Sequence, residues 1–176
     1  MFEYSYTPER KKKTVKFLTA ILYFAAVILY GFISTFELEY EGFMQLVSLA
    51  SFAAATLLLT RFIFKKIIYR VVERDVDSYD LVVDEMTGKS RVSICRIALA
   101  NIERVEIHTT ENNEELRQMA QGRKIFSYCP DMFPTGECWV FVTECGEELL
   151  LMLYADDTLL SILRSAQDHR ADGEEL

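Results

Sequence analysis

The chain has 176 residues, of which 51% are hydrophobic, yet its mean hydropathy is only +0.09 and its formal net charge at pH 7 is −8. The charge is unevenly spread: residues 67–176 carry 11 Lys plus Arg against 22 Asp plus Glu, a formal charge of −11. A segment so acidic argues against a nucleic-acid partner and against direct capture of anionic lipid head groups, because both would be repelled.

Residues 1–16 form a basic N-terminus with Arg10, Lys11, Lys12, Lys13 and Lys16. Two uncharged apolar runs follow, Phe17–Phe36 and Gly42–Thr60, of 20 and 19 residues. Each matches the roughly 20 residues that a helix needs to cross a ~30 Å hydrocarbon core. Glu37, Leu38, Glu39, Tyr40 and Glu41 join them, so the pair reads as a tight transmembrane helical hairpin over residues 17–66, with spans at 17–36 and 42–64. Arg61, Lys65, Lys66 and Arg70 follow the second run, whereas the connector holds three glutamates and no base. Lys and Arg are retained on the cytoplasmic side, so both termini are expected there. Arg61, Lys65 and Lys66 are the candidate juxtamembrane anchors, with the lipid bilayer as their partner. A cleaved signal peptide fits less well, because the first run exceeds a signal core of roughly 7–15 residues and no A-x-A-like site follows.

The second run is rich in small residues. Ala50/Ala54 and Ser51/Ala55 are small-xxx-small pairs, which let helix backbones approach closely in lipid. They are expected to pack against the first span near Ala25, Ala26 or Gly31, or against a second copy. Neither span has an interior acid, base or proline, as a transport path or proton relay would usually need. The hairpin reads as an anchor.

About 110 residues beyond it suffice for one domain with its own core. Residues 67–168 are assigned to it, and 169–176 to an acidic flexible tail. Tyr69–Glu73 and Tyr79–Asp84 are β-rich, Met86–Lys89 is a turn, and Arg91–Ile97 alternates polar with apolar as a half-buried strand does. Ala98–Ile102 is a short helical turn, and Arg104–His108 alternates again. Glu111–Gly122 is a short helix or loop, with Asn112 or Asn113 as its cap and Leu116, Met119 and Ala120 on one face. Ile125–Cys129 is a further candidate strand, followed by a turn-rich loop to Gly136.

Cys138–Tyr154 is the clearest unit. With Cys145-Gly146 as a two-residue turn, Val142 faces Leu149, Val140 faces Leu151 and Cys138 faces Leu153. On the other face Phe141 meets Leu150 and Trp139 meets Met152. Both faces are apolar, so one lines the core and the other needs a cover, because a solvated sheet face would be polar. The candidates are a C-terminal helix capped by Asp156 or Asp157, the segment with Phe126, Tyr128, Met132 and Phe133, or a partner protein. The last makes Trp139, Phe141, Leu150 and Met152 a candidate partner surface.

Catalysis finds little support. Cys95, Cys129, Cys138 and Cys145 have no C-x-x-C pair and no common zinc spacing. No G-x-S-x-G, P-loop, H-E-x-x-H or dinucleotide glycine pattern occurs. No nucleophile, base and oxyanion site come together, and neither a metal nor a cofactor is expected.

The succession of two spans, the strand–turn–strand SRVSICRIALANIERVEIH, the apolar hairpin ECWVFVTECGEELLLMLY and the acid-capped ADDTLLSILRSAQ resembles bacterial two-span membrane proteins with a cytoplasmic PH-like domain, including the YcxB-like group. The resemblance implies an α+β membrane protein of the bacterial inner membrane. In it, two packed antiparallel sheets are closed by a C-terminal helix, and there are no shared catalytic residues. The function expected is a non-catalytic, membrane-anchored interaction module for protein partners or self-association. The alternative is a sensor or accessory subunit of a larger membrane complex.

Overall fold

The computed structural model describes residues 3–9, 13–35, 40–75 and 78–174. Arg10, Lys11 and Lys12 of the basic flank, and Glu37, Leu38 and Glu39 of the connector, lie outside the described residues. The chain divides into two compact units, Arg10–Lys65 and Met1–Glu9 with Lys66–Leu176.

The first unit is a helix pair, α1 (Thr14–Thr35) and α2 (Glu41–Leu58), the second continuing as a π-helical turn over Leu59–Ile63. Both helices are long and apolar enough to cross a membrane. Their contact side buries Val15, Thr19, Ala26 and Ile33 on α1 and Ser48 and Ala55 on α2. The Ser48 hydroxyl donates to the Ala26 carbonyl at 3.0 Å, and Tyr23 and Thr56 share a hydrogen bond of 3.1 Å. Of the two small-residue pairs, Ser51/Ala55 lies on this side, Ala55 with no exposure and Ser51 half-buried. Ala50 is exposed and Ala54 half-buried, and Gly31 of α1 is exposed rather than packed. Helical geometry explains the split: at 100° per residue, Ala50 lies about 200° around the helix from Ser48. The remaining surface is apolar, with Phe17, Phe24, Val27, Leu46 and Leu49 exposed.

Among the described residues, the second unit contains eight strands. β1 (Glu3–Tyr6), β2 (Lys65–Asp75), β3 (Ser78–Thr87) and β4 (Ser90–Ala98) form one sheet in that order. A 3-10 turn, Leu99–Asn101, leads into β5 (Ile102–Ile107). After α3 (Asn113–Met119) come β6 (Lys124–Ser127), β7 (Cys138–Glu144) and β8 (Glu147–Leu153), and the second sheet runs β5-β7-β8-β6. α4 (Asp157–Glu174) follows β8. The two sheets share one core: Tyr69, Val71, Leu81, Val83 and Ile97 from the first meet Val105, Val140, Leu151 and Leu153 from the second, with Leu159 and Leu163 of α4. Asp156 caps α4, its Oδ1 accepting from the Leu159 amide at 2.8 Å.

Three expectations change. The N-terminus is not only a basic flank: Glu3–Tyr6 pairs antiparallel with β2, Tyr6 opposite Tyr69 and Glu3 opposite Val72. Tyr4 and Tyr6 alternate onto the apolar core, which is what a strand signal requires. The sheets are not wholly antiparallel, because β6 runs parallel to β8. The backbone stays helical through Glu174 where a flexible tail was expected, since residues 166–172 contain neither glycine nor proline to stop it.

Candidate interaction faces of the β domain

The Cys145-Gly146 turn has φ of 52° and 79°, the left-handed pair that a two-residue hairpin turn demands. It sets the register as expected, Trp139 opposite Met152, Phe141 opposite Leu150 and Val142 opposite Leu149. α4 covers the face of Val140, Leu151 and Leu153.

The opposite face is not an open partner surface. Trp139 is 7% exposed, and Phe141 and Leu150 have no exposure. Leu116 and Met119 of α3 and Ala120 at its C-cap pack against them, with Met152 half-buried at the margin. The cover is therefore intramolecular, and it comes from neither of the two segments expected. The face of α3 was legible in its i, i+3, i+4 spacing, but its destination was not, because a seven-residue helix could dock on either sheet.

Polar groups fasten this cover. The Arg123 guanidinium stands 5.2 Å above the Phe141 ring and pairs with Glu103 at 2.8 Å. Arg104 reaches Glu115 of α3 at 3.0 Å. His108 stacks on Trp139 at 5.1 Å, with Nδ1 3.1 Å from Glu137 and Nε2 3.1 Å from Asn113. The Trp139 indole N–H donates to the same Glu137 carboxylate at 3.2 Å.

The outward face of the first sheet holds groups that sequence reading missed. Asp84 is fully buried and accepts from Arg70 at 2.7 Å, and from Arg91 and Ser93 at 2.6 Å each. Burial alone would raise its carboxyl pKa, and these three donors outweigh that, holding it below the usual carboxylate range. Asp80, 2% exposed, receives Arg96 Nε at 2.6 Å. Only part of the signal was in the sequence: Asp80 and Asp84, four apart, share one face of YDLVVDE, but Arg96 joins Arg91 and Ser93 opposite them only because the ladder shifts register at Val83/Asp84.

The other proposed site residues are dispersed. Arg61 is exposed in the π turn, while Lys65 and Lys66 open β2, the first half-buried and the second exposed. The thiols do not form a centre. Cys129 and Cys138 are buried, Cys95 is half-buried, and only Cys145 is exposed. Burial pushes the Cys138 thiol up to about 12. Among the described residues, no three His, Cys, Asp or Glu side chains gather as a metal site requires. The apolar side chains that the domain leaves exposed include Ile125, Phe126, Met132 and Phe133, Ile107 on β5, and Val92 and Ile94 on β4. In comparisons with family models, curated proteins and solved structures, the chain matches none.

Proposed function

We propose that this chain is a membrane-anchored, non-catalytic interaction module of the bacterial inner membrane. Its helical hairpin sits in the lipid, and its β domain, a PH-like pair of sheets closed by α4, is held at the cytoplasmic face for protein partners or a second copy of itself.

The observation that carries this reading is the pairing of β1 with β2. One strand precedes the helix pair and the other follows it, so the chain enters and leaves the hairpin on one side, as a two-span anchor must. The outward apolar side chains of both helices, Phe17, Phe24, Val27 and Leu46 among them, support lipid as their solvent, since in water they would form a patch far beyond what a soluble monomer exposes. Tethering raises the local concentration of the domain, so weak contacts suffice for association.

Cys145 provides the test of placement, because it is the one exposed thiol. A membrane-impermeant maleimide should label it only after the cells are opened, and labelling on intact cells would refute the cytoplasmic assignment. Differently tagged copies extracted together in mild detergent should co-purify. Phe126→Ser with Phe133→Ser, both at exposed positions, should weaken that association several-fold without loss of fold. A chain that stays monomeric would sink self-association.

A further inference from the structure

We propose that a hollow at the corner between the two sheets binds a small zwitterion of the α-amino-acid type, its carboxylate on Arg74 and Arg96 and its ammonium on Asp80 and Glu144. The hollow has a volume of about 360 Å³ and is lined by Arg74, Asp80, Arg96, Ala98 and Glu144. These residues come from the ends of four strands: β2, β3, β4 and β7. The chain crosses from the first sheet to the second at this point, through the Leu99–Asn101 turn, so the strand ends diverge and leave space. Asp80 faces Ala98 across the β3–β4 ladder, and the alanine methyl is too short to fill it.

The lining is charge-balanced but internally unsatisfied. Asp80 accepts Arg96 on Oδ2, while its Oδ1 is buried with no hydrogen-bond partner. A buried carboxylate oxygen in that state costs on the order of 1–3 kcal/mol, which a donor entering the hollow would recover. Arg74 is exposed and makes no ion pair among the described residues, and the Arg96 side chain is 59% exposed beyond its single contact. Glu144 is half-buried at the rim, where Asn101 donates to Oε2 at 2.6 Å. A lone anion would serve the two guanidiniums, leave Asp80 Oδ1 unsatisfied and be repelled by Glu144. A lone cation has the converse defect. A ligand carrying an ammonium and a carboxylate on one carbon satisfies both pairs at once. Polar, convergent groups of this kind fix a ligand's orientation. The inference does not depend on the anchoring function proposed above.

The test is equilibrium dialysis of the full chain in detergent micelles against a uniformly labelled mixture of the L-amino acids at millimolar concentration, with acetate and methylammonium as competitors. Saturable binding of at least one amino acid is expected, with acetate and methylammonium each competing at least tenfold more weakly. Arg74→Gln, at an exposed position, should weaken binding at least tenfold with the fold intact, and Asp80→Asn should abolish it. The proposal is overturned by absence of saturable binding, by acetate competing as well as the amino acid, or by Arg74→Gln binding like the parent chain. Should Asp80→Asn fail to fold, the Arg74→Gln result decides alone.

Discussion

Phe141 has no exposure and lies between Leu116, Leu150 and the Arg123 guanidinium. Phe141→Ala therefore opens a cavity that a sheet held by paired strands cannot close, at a cost of about 3–5 kcal/mol. Denaturant unfolding followed by emission from Trp139, the single tryptophan, would read the lower midpoint. Asp84 makes a pH prediction of definite sign. Its folded carboxyl is held below the unfolded value by Arg70, Ser93 and Arg91, despite its burial. Its stabilising contribution is therefore complete above roughly pH 4 and is lost as pH falls through the folded value. Asp84→Asn should flatten the acid limb of stability against pH, in thermal melts from pH 6 downward. This residue was invisible to sequence reading for a physical reason. Acids are almost never fully buried unless paired, and the pairing depends on a register between strands that composition does not encode. Trp139 failed the opposite way: its apolar character was plain, but whether a neighbour or a partner would cover it depended on where a distant short helix docks.

At the scale of elements, β7–β8 was the most legible unit because two local signals agreed, alternation along both strands and a glycine at the turn. α4 was readable from its acid cap and its stripe of Leu159, Ile162, Leu163 and Ala166. β6 was harder, since its parallel pairing with β8 requires a connection that no local pattern announces. β1 was missed outright: four residues are too few for alternation to stand out, and the bases after them drew the whole segment into the basic flank of the first span. Yet β1 is well fastened. The Tyr4 hydroxyl donates to both oxygens of the Asp156 carboxylate at 2.6 Å, so the first strand is tied to the residue that caps the last helix. Burial and the neighbouring carboxylate both push the Tyr4 phenol well above its usual pKa, so it stays a donor across the physiological range. Tyr4→Phe should cost about 1–3 kcal/mol as a lost hydrogen bond to a charged acceptor. Hydrogen exchange should rise along β1 and in the first turn of α4, whereas a rise confined to β1 would mean that the tie is not made.

For the whole molecule, the division into a helix pair and a β unit was legible from charge and hydropathy alone, because an uncharged run of about 20 residues is a coarse signal that tertiary context rarely overrides. The exact boundary was not: the structure assigns Met1–Glu9 to the same unit as Lys66–Leu176, so the β unit is assembled from two stretches that the helices interrupt. The hollow proposed as a zwitterion site escaped sequence reading on the same ground. Arg74, Asp80, Ala98 and Glu144 span about seventy positions and meet only when both sheets are complete.

The interrupted β unit has a consequence for biosynthesis. Tyr6 leaves the ribosome long before Tyr69, its ladder partner, and at about 5–20 residues per second the wait is roughly 3–13 s. β1 thus waits for a partner strand made only after both helices, and the nascent chain must keep it free while they are being produced. A bulky fusion placed ahead of Glu3 would weigh on that delayed docking step, so a reporter or affinity handle belongs at the other terminus.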